Sequence, residues 1–196
     1  MSGRAALDAL LGAARDWHAA LPELAAFCDW PEDVQPVRRA PVPIPATDLI
    51  RRDPGATTAQ SKPLCDALIA AAPHVEWRLT YTEDDVGPDF LRQYGWFELA
   101  GPGGHFLSHQ TRLTVGYWGP GLFYPRHQHR AEEIYSVVAG HALFHADGDP
   151  DATLHPGDTR FHASDQPHAM ATTTSPVLTF VMWRGAGLGD APGMTR

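Results

Sequence analysis

The stretch GLFYPRHQHRAEEIY, Gly121 to Tyr135, carries two histidines, a glutamate and a tyrosine at odd-numbered positions. Successive side chains of a strand alternate faces, so His127 and His129 project to the same side with Cα atoms roughly 6.6 Å apart. That separation lets two imidazoles converge on one cation. Glu133 follows after a brief turn, and Tyr135 shares its face because the two are again separated by two. Another histidine, His168, comes from SDQPHAM, after a proline in a turn that leads into the next strand. Three imidazoles and a carboxylate suit one divalent ion per chain, with Zn, Fe(II), Mn, Co or Ni as the choices. With 11 histidines in 196 residues, an H-x-H pair alone is weak evidence, since composition produces one readily. His105, His109, His141, His145, His155 and His162 lack a carboxylate at ligand spacing and read as surface or hydrogen-bonded histidines.

Around this stretch, from about Thr111, short alternating segments are separated by Gly, Pro and Asp. TRLTVGYW, EIYSVVAG, HALFHA, TRFHA and VLTFVMW read as strands, with HADGDPDA and HPGD as turns between them. Short strands without intervening helices predict an antiparallel sandwich or barrel. Upstream the pattern is helical. Leu7, Leu10, Leu11, Ala14 and Trp17 recur at helical spacing over residues 4 to 20, with Ser2 or Gly3 before the first turn. Prolines at 31, 36, 41, 43 and 45 predict an extended strap laid over the body. A second helix is expected from Lys62 to Ala72, N-capped by Ser61, and a third from about Pro88 to Tyr94, stopped by Gly95. Early strands are expected near Glu76 to Thr82 and Trp96 to Leu99. The layout is one compact unit, with 1–75 as a helical extension and strap and 76–196 as a β-barrel.

The net charge of -8 argues against a nucleic-acid binder, which needs clustered Lys and Arg, and disfavours an anionic membrane. Cys28 and Cys65 form neither a disulfide framework nor a thiolate metal site. Asp8 interrupts the apolar run that a signal peptide needs, and nothing approaches the ~20 apolar residues that span a bilayer. The chain therefore reads as soluble and cytoplasmic, a monomer or homodimer acting on a small molecule.

The frame around the pair is Gly121, five residues, H-x-H, three residues, Glu133, six residues and Gly140. It resembles the first signature motif of the cupin superfamily, whose glycines serve as turn residues bracketing the strands. HPGDTRFHASDQPHAM resembles the second motif, with Pro156-Gly157-Asp158 as the turn and His168 at the ligand's spacing from Gly157. It departs in having Ala163-Ser164-Asp165 in place of the usual Pro-x-Gly and Thr172 where an Asn often follows, which leaves His162 as the alternative to His168. Tyr124, the YPRHQHRAEEIY string and QPHAM make residues 111 to 185 similar to the short bacterial dimethylsulfoniopropionate (DMSP) lyases of the cupin type, in particular the Q-type branch. The resemblance implies a mainly β fold, the cupin double-stranded β-helix or jelly-roll barrel, with an N-terminal α-helical extension. It also implies a carbon–sulfur lyase that cleaves DMSP by β-elimination to dimethyl sulfide and acrylate. The ligands it implies are His127, His129, Glu133 and His168, and the base it implies is Tyr135.

DMSP joins a carboxylate through two carbons to a sulfonium, so elimination removes a weakly acidic proton next to the carboxylate. A metal on the carboxylate stabilises the enolate-like species. A tyrosinate is a strong enough base if the nearby cation lowers its pKa from ~10. Tyr135 lies on the metal face by parity. The face of Tyr124 depends on whether Pro125 bends the strand, which makes it the substrate-positioning residue or a second base. For both phenols the plain alternative is core packing with a hydrogen-bonded hydroxyl. Aromatic faces bind a soft cation well. Trp183 is the leading wall for the sulfonium, followed by Trp118, Tyr117 and Phe123. Glu132 reads as a solvated neighbour of Glu133. Fold alone does not choose a reaction, so another metal-dependent cupin enzyme, an Fe(II) dioxygenase or an isomerase acting on a small carboxylate, stands as the alternative, with a non-catalytic binder as a third reading.

Overall fold

Leu7, Leu10, Ala14 and Trp17 do form one buried stripe, on helix α1 (Gly3–Ala20), and the Ser2 hydroxyl caps it by accepting from the Ala5 amide. The computed structural model describes residues 2–195. Among these residues five further α-helices follow: α2 (Pro22–Phe27), α3 (Ala46–Arg52), α4 (Lys62–Ala71), α5 (Glu83–Val86) and α6 (Pro88–Gln93). Of these, α2, α3 and α5 are additional to the sequence reading. They are too short to show a period, and α5 is held by a local capping box between Thr82 and Asp85.

Among the described residues, twelve strands build two facing sheets. They are β1 (Gln35–Pro36), β2 (Tyr94–Gly101), β3 (Phe106–Leu107), β4 (Arg112–Trp118), β5 (Phe123–Gln128), β6 (Glu132–Gly140), β7 (Ala142–Ala146), β8 (Asp149–Leu154), β9 (Thr159–His162), β10 (His168–Ala171), β11 (Val177–Arg184) and β12 (Gly193–Met194). The larger sheet runs β1-β3-β2-β4-β11-β6-β9 and the smaller β12-β5-β10-β7-β8, the arrangement of a jelly-roll barrel.

The large sheet is buried on both faces. One alternate set, including Phe97, Leu113, Val115, Tyr117, Val138 and Phe180, packs against α1 and α4. The other set, including Tyr94, Trp118, Tyr135, Val181 and Trp183, faces the barrel interior. Adjacent residues on β6 thus serve different layers. Ser136 accepts a hydrogen bond from the Trp17 indole of α1 at 3.0 Å, while Tyr135 looks into the barrel. At two glycines the backbone requires the residue. Gly121 and Gly140 have φ of 76° and 72°, and a Cβ on Gly140 would lie 1.8 Å from the Pro176 carbonyl oxygen.

Several local expectations are corrected. Gly95 does not stop α6: the chain turns at Tyr94 directly into β2, and a Cβ at 95 would lie 2.0 Å from Ile44 Cδ1, so the glycine admits the strap instead. Ser61 precedes α4 without a side-chain cap, because its hydroxyl accepts from the Thr58 amide. HADGDPDA is mostly strand, with only Asp147-Gly148 as the turn, since Asp-Gly suffices for a tight hairpin. Residues 76–82 form two isolated bridges, Val42 with Glu76 and Arg78 with Trp96, rather than a full strand. The proline-rich strap is held by that first bridge and by β1 against β3.

Candidate metal centre

His127 and His168 are cross-strand partners on β5 and β10, so the pairing register itself brings two imidazoles together, with ring centres 4.1 Å apart. Glu133 arrives from the opposite sheet on β6. Ligand atoms of His127, Glu133 and His168 all lie within 4.8 Å of one another, and all three residues are buried. His129, one residue beyond β5, brings its Nε2 to 3.2 Å from Glu133 Oε1, and His168 Nε2 stands 2.8 Å from the same oxygen.

The orientation of each ring is fixed from behind. Nδ1–H of His127, His129 and His168 donates to the carbonyl of Pro125, Ala131 and Gln166 respectively, each at 2.8 Å. A carbonyl can only accept, so each neutral ring carries its lone pair on Nε2, aimed inward. His129 Nε2 and His168 Nε2 are buried without a hydrogen-bond partner. Lone pairs converging on a carboxylate repel it, and a divalent cation among them would satisfy the Nε2 atoms of His129 and His168. This donor set fits a metal.

Burial and mutual attraction set the charge of each member: a neutral His127 suits a cation, whereas the raised His129 holds a proton in competition with one. Burial, reinforced by His168, pushes His127 down to about 3, which keeps it a neutral ligand. Burial opposes charge on both Glu133 and His129, yet their mutual attraction wins: Glu133 is held well below the usual carboxylate range, with His168 contributing, and His129 is raised.

His162, the alternative to His168 in the second motif, is also brought to the site. It lies opposite Glu133 on β9, donates from Nδ1 to Glu133 Oε1 at 3.0 Å, and stacks on His168 with ring centres 4.0 Å apart. The spacing offered it only in place of His168, and its contact with Glu133 comes from cross-strand register. The second-motif departure also has a structural account. Asp165 adopts φ of 57°, the conformation a glycine would take, and its amide donates to the His129 carbonyl. The Thr172 hydroxyl accepts from the Leu122 amide and donates to the Gly119 carbonyl, tying β10 to the loop before β5.

Tyr124, Tyr135, Trp183, His127 and Glu133 line one cavity, together with Tyr94, Trp96, Trp118, Arg112 and Pro192. Burial, with Glu133 and other phenols adding to it, raises Tyr135 well above the ordinary phenol range; burial and the neighbouring phenols do the same to Tyr124. Tyr124 sits among aromatic rings, 5.1 Å from Trp118, 5.6 Å from Tyr94 and 4.4 Å from His127. Trp183 is stacked on His129 at 4.0 Å. Tyr117 and Phe123, the lesser wall candidates, are elsewhere: Tyr117 points to the helices and donates to the Asp53 carbonyl, and Phe123 is exposed. Glu132 points outward and pairs with Arg184 at 2.7 Å. The C-terminal strand β12 pairs with Gln128 and His127 and brings Pro192 to the cavity. No helix among the described residues is long and apolar enough to cross a membrane.

A family profile described as dimethylsulfoniopropionate lyase matches residues 17–179. The dimethylsulfoniopropionate lyase DddQ of Ruegeria pomeroyi is 42% identical over 190 residues, 97% of this chain and 94% of the relative. Its crystal structure superposes with a TM-score of 0.92 over 97% of this chain and 96% of its own. A chain from crystal structures of the DMSP lyases RdDddP and RnDddQII is 62% identical, with a TM-score of 0.98 and 100% of both chains covered. Rru_A2000 of Rhodospirillum rubrum, a cupin-2 domain 18% identical to this chain, shares the fold with a TM-score of 0.50 over 63% of this chain and 77% of its own.

Proposed function

Because the chain belongs to the dimethylsulfoniopropionate lyase family, we propose that it is a metal-dependent carbon–sulfur lyase that cleaves DMSP to dimethyl sulfide and acrylate. The observation that carries this reading is the convergence of carbonyl-locked imidazoles on Glu133 inside an aromatic cavity. The proposed ligands are His127, His129, Glu133 and His168, with His162 orienting Glu133. A divalent cation there would supply Lewis-acid stabilisation of the substrate carboxylate as negative charge develops on it. Zn, Fe(II), Mn, Co and Ni all suit these donors.

Tyr135 is the proposed base. It accepts the proton from the carbon next to the carboxylate; the electron pair left behind forms the carbon–carbon double bond, the carbon–sulfur bond breaks, and neutral dimethyl sulfide departs with that bonding pair. Burial and Glu133 keep this phenol protonated on their own, so its service as a base depends on positive charge held by the adjacent ligands. Tyr124, Tyr94 and Trp118 form the proposed wall for the sulfonium, which their faces attract and which they shield from water. Trp183, committed to His129, is assigned to the carboxylate end.

Incubation of purified protein with DMSP tests the reading. Dimethyl sulfide in the headspace and acrylate in solution are expected in equal amounts. No product with any of the five metals, or oxygen consumption in place of elimination, would remove it.

A further inference from the structure

The strand register sets four side chains in one row across the large sheet: His162 opposite Glu133, Glu133 opposite Trp183, and Trp183 opposite Arg112. Neighbouring strands are ~4.8 Å apart, so the Arg112 backbone stands ~10 Å from that of Glu133. Arg112 is buried, lines the same cavity as Glu133 and Tyr135, and among the described residues is the one Arg or Lys in that lining. Its guanidinium lies 4.7 Å from the Trp183 ring centre, near the indole that stacks on His129.

A buried guanidinium needs a counter-charge, and the protein supplies only part of one. Arg112 Nε donates to Glu98 Oε2 at 3.1 Å and Nη1 to the Asp190 carbonyl at 3.1 Å, while Nη2 makes no hydrogen bond to a described residue. Glu98 is shared with Arg78 at 3.3 Å; Arg78 also meets Glu76 at 3.5 Å, and Glu76 pairs with Arg39 at 3.1 Å. Glu98 is thus divided between two guanidiniums, and the other carboxylate that acts on Arg112 is Glu133 across the cavity. Uncompensated buried charge is costly, and an entering carboxylate would meet it with charge-assisted hydrogen bonds.

The cavity is polarised along β4. Arg112, Thr114, Gly116 and Trp118 all line it, with Arg112 at one end and Trp118 beside Tyr94 and Tyr124 at the other. The Trp118 ring folds back over Gly116, where a Cβ would lie 2.3 Å from it. We propose that Arg112 receives the substrate carboxylate and so fixes the direction in which the substrate lies, with its sulfonium toward Tyr94, Trp118 and Tyr124. The proposal rests on the lyase reading for the identity of the substrate. Reversal would set a sulfonium beside a guanidinium and leave the carboxylate among aromatic faces. Orientation in turn presents the carbon next to the carboxylate to Tyr135, one same-face position along β6 from the Glu133 row.

Calorimetry with two half-substrates, propanoate for the anionic end and trimethylsulfonium for the cationic end, tests this on zinc-loaded protein. Arg112→Met is expected to weaken propanoate about tenfold to a hundredfold, the scale of lost charge-assisted hydrogen bonds, and to leave trimethylsulfonium unchanged or tighter. Arg112→Lys should restore part of the propanoate binding. In turnover, KM for DMSP should rise more than kcat falls. If the single variant does not fold, Glu98→Gln combined with Arg112→Met removes the ion pair as a unit and gives the same comparison. Unchanged propanoate binding, or equal weakening of both half-substrates, in a variant of native circular dichroism overturns the proposal. Absence of DMSP turnover in the unmodified protein would instead count against the lyase reading, with the propanoate measurement still deciding whether Arg112 holds a carboxylate.

Discussion

Replacing Tyr135 with Phe separates a catalytic hydroxyl from a structural ring. The ring packs edge-on to Phe144 and His162, with centres 5.5 and 5.6 Å away, and phenylalanine keeps both contacts. What is lost is one hydroxyl in the cavity lining, worth at most about 1 kcal/mol, the net scale of a single hydrogen bond. A loss of that size lowers Tm by about 2–4 °C for a chain of this length. If the hydroxyl is the base, turnover should fall about 10²–10⁴-fold, the range for removal of a positioned general base. The assay is headspace dimethyl sulfide from metal-loaded Tyr135→Phe protein, with bound metal counted by mass spectrometry and Tm followed by circular dichroism. Turnover within about threefold of the parent, at full metal content, would assign proton removal elsewhere, and Tyr124→Phe would become the next variant to measure.

Other consequences are equally specific. His129→Ala should lower metal affinity by at least about 10–100-fold, the scale already seen for outer-shell changes, yet leave the far-ultraviolet spectrum native; chelator-induced unfolding would contradict the separation of core from metal. His105 is pushed by burial, and by Arg39, from its ordinary 6.5 to about 4, so the unfolded chain binds a proton that the folded chain refuses. Its contribution to stability is present above pH 6.5 and lost as the pH falls toward 4, and His105→Gln should flatten that part of a urea-midpoint curve; an unchanged slope would refute it. Leu10→Ala, at a fully buried site on α1, should cost about 2–5 kcal/mol by urea titration; a cost below ~1 kcal/mol would mean that α1 is not part of the core.

What the sequence made legible was whatever repeats locally. The stripe Leu7, Leu10, Ala14 and Trp17 on α1 and the alternation of β4, β6 and β11 follow from chain periods of 3.6 and 2. Helices α2, α3 and α5 have too few turns to repeat anything. Gly95 misled because its lack of a side chain serves the Ile44 contact, a tertiary demand. Within the site, His127, His129, Glu133 and Tyr135 were visible because they lie within nine residues on one stretch. Arg112 was not, and His162 only as the alternative to His168, because each meets the others through strand register across the large sheet. The aromatic wall has the same origin: Tyr94 and Trp118 share a register row on β2 and β4, and Tyr124 faces them from the other sheet.

The most direct test is a metal titration of chelator-stripped protein, with dimethyl sulfide release and bound metal measured on the same samples. The rate should rise in proportion to occupancy and level off at about one metal per chain, the capacity of a single tetrahedral or octahedral site. Undiminished release from protein without metal, or no release at full occupancy with any of Zn, Fe(II), Mn, Co and Ni, would contradict the account.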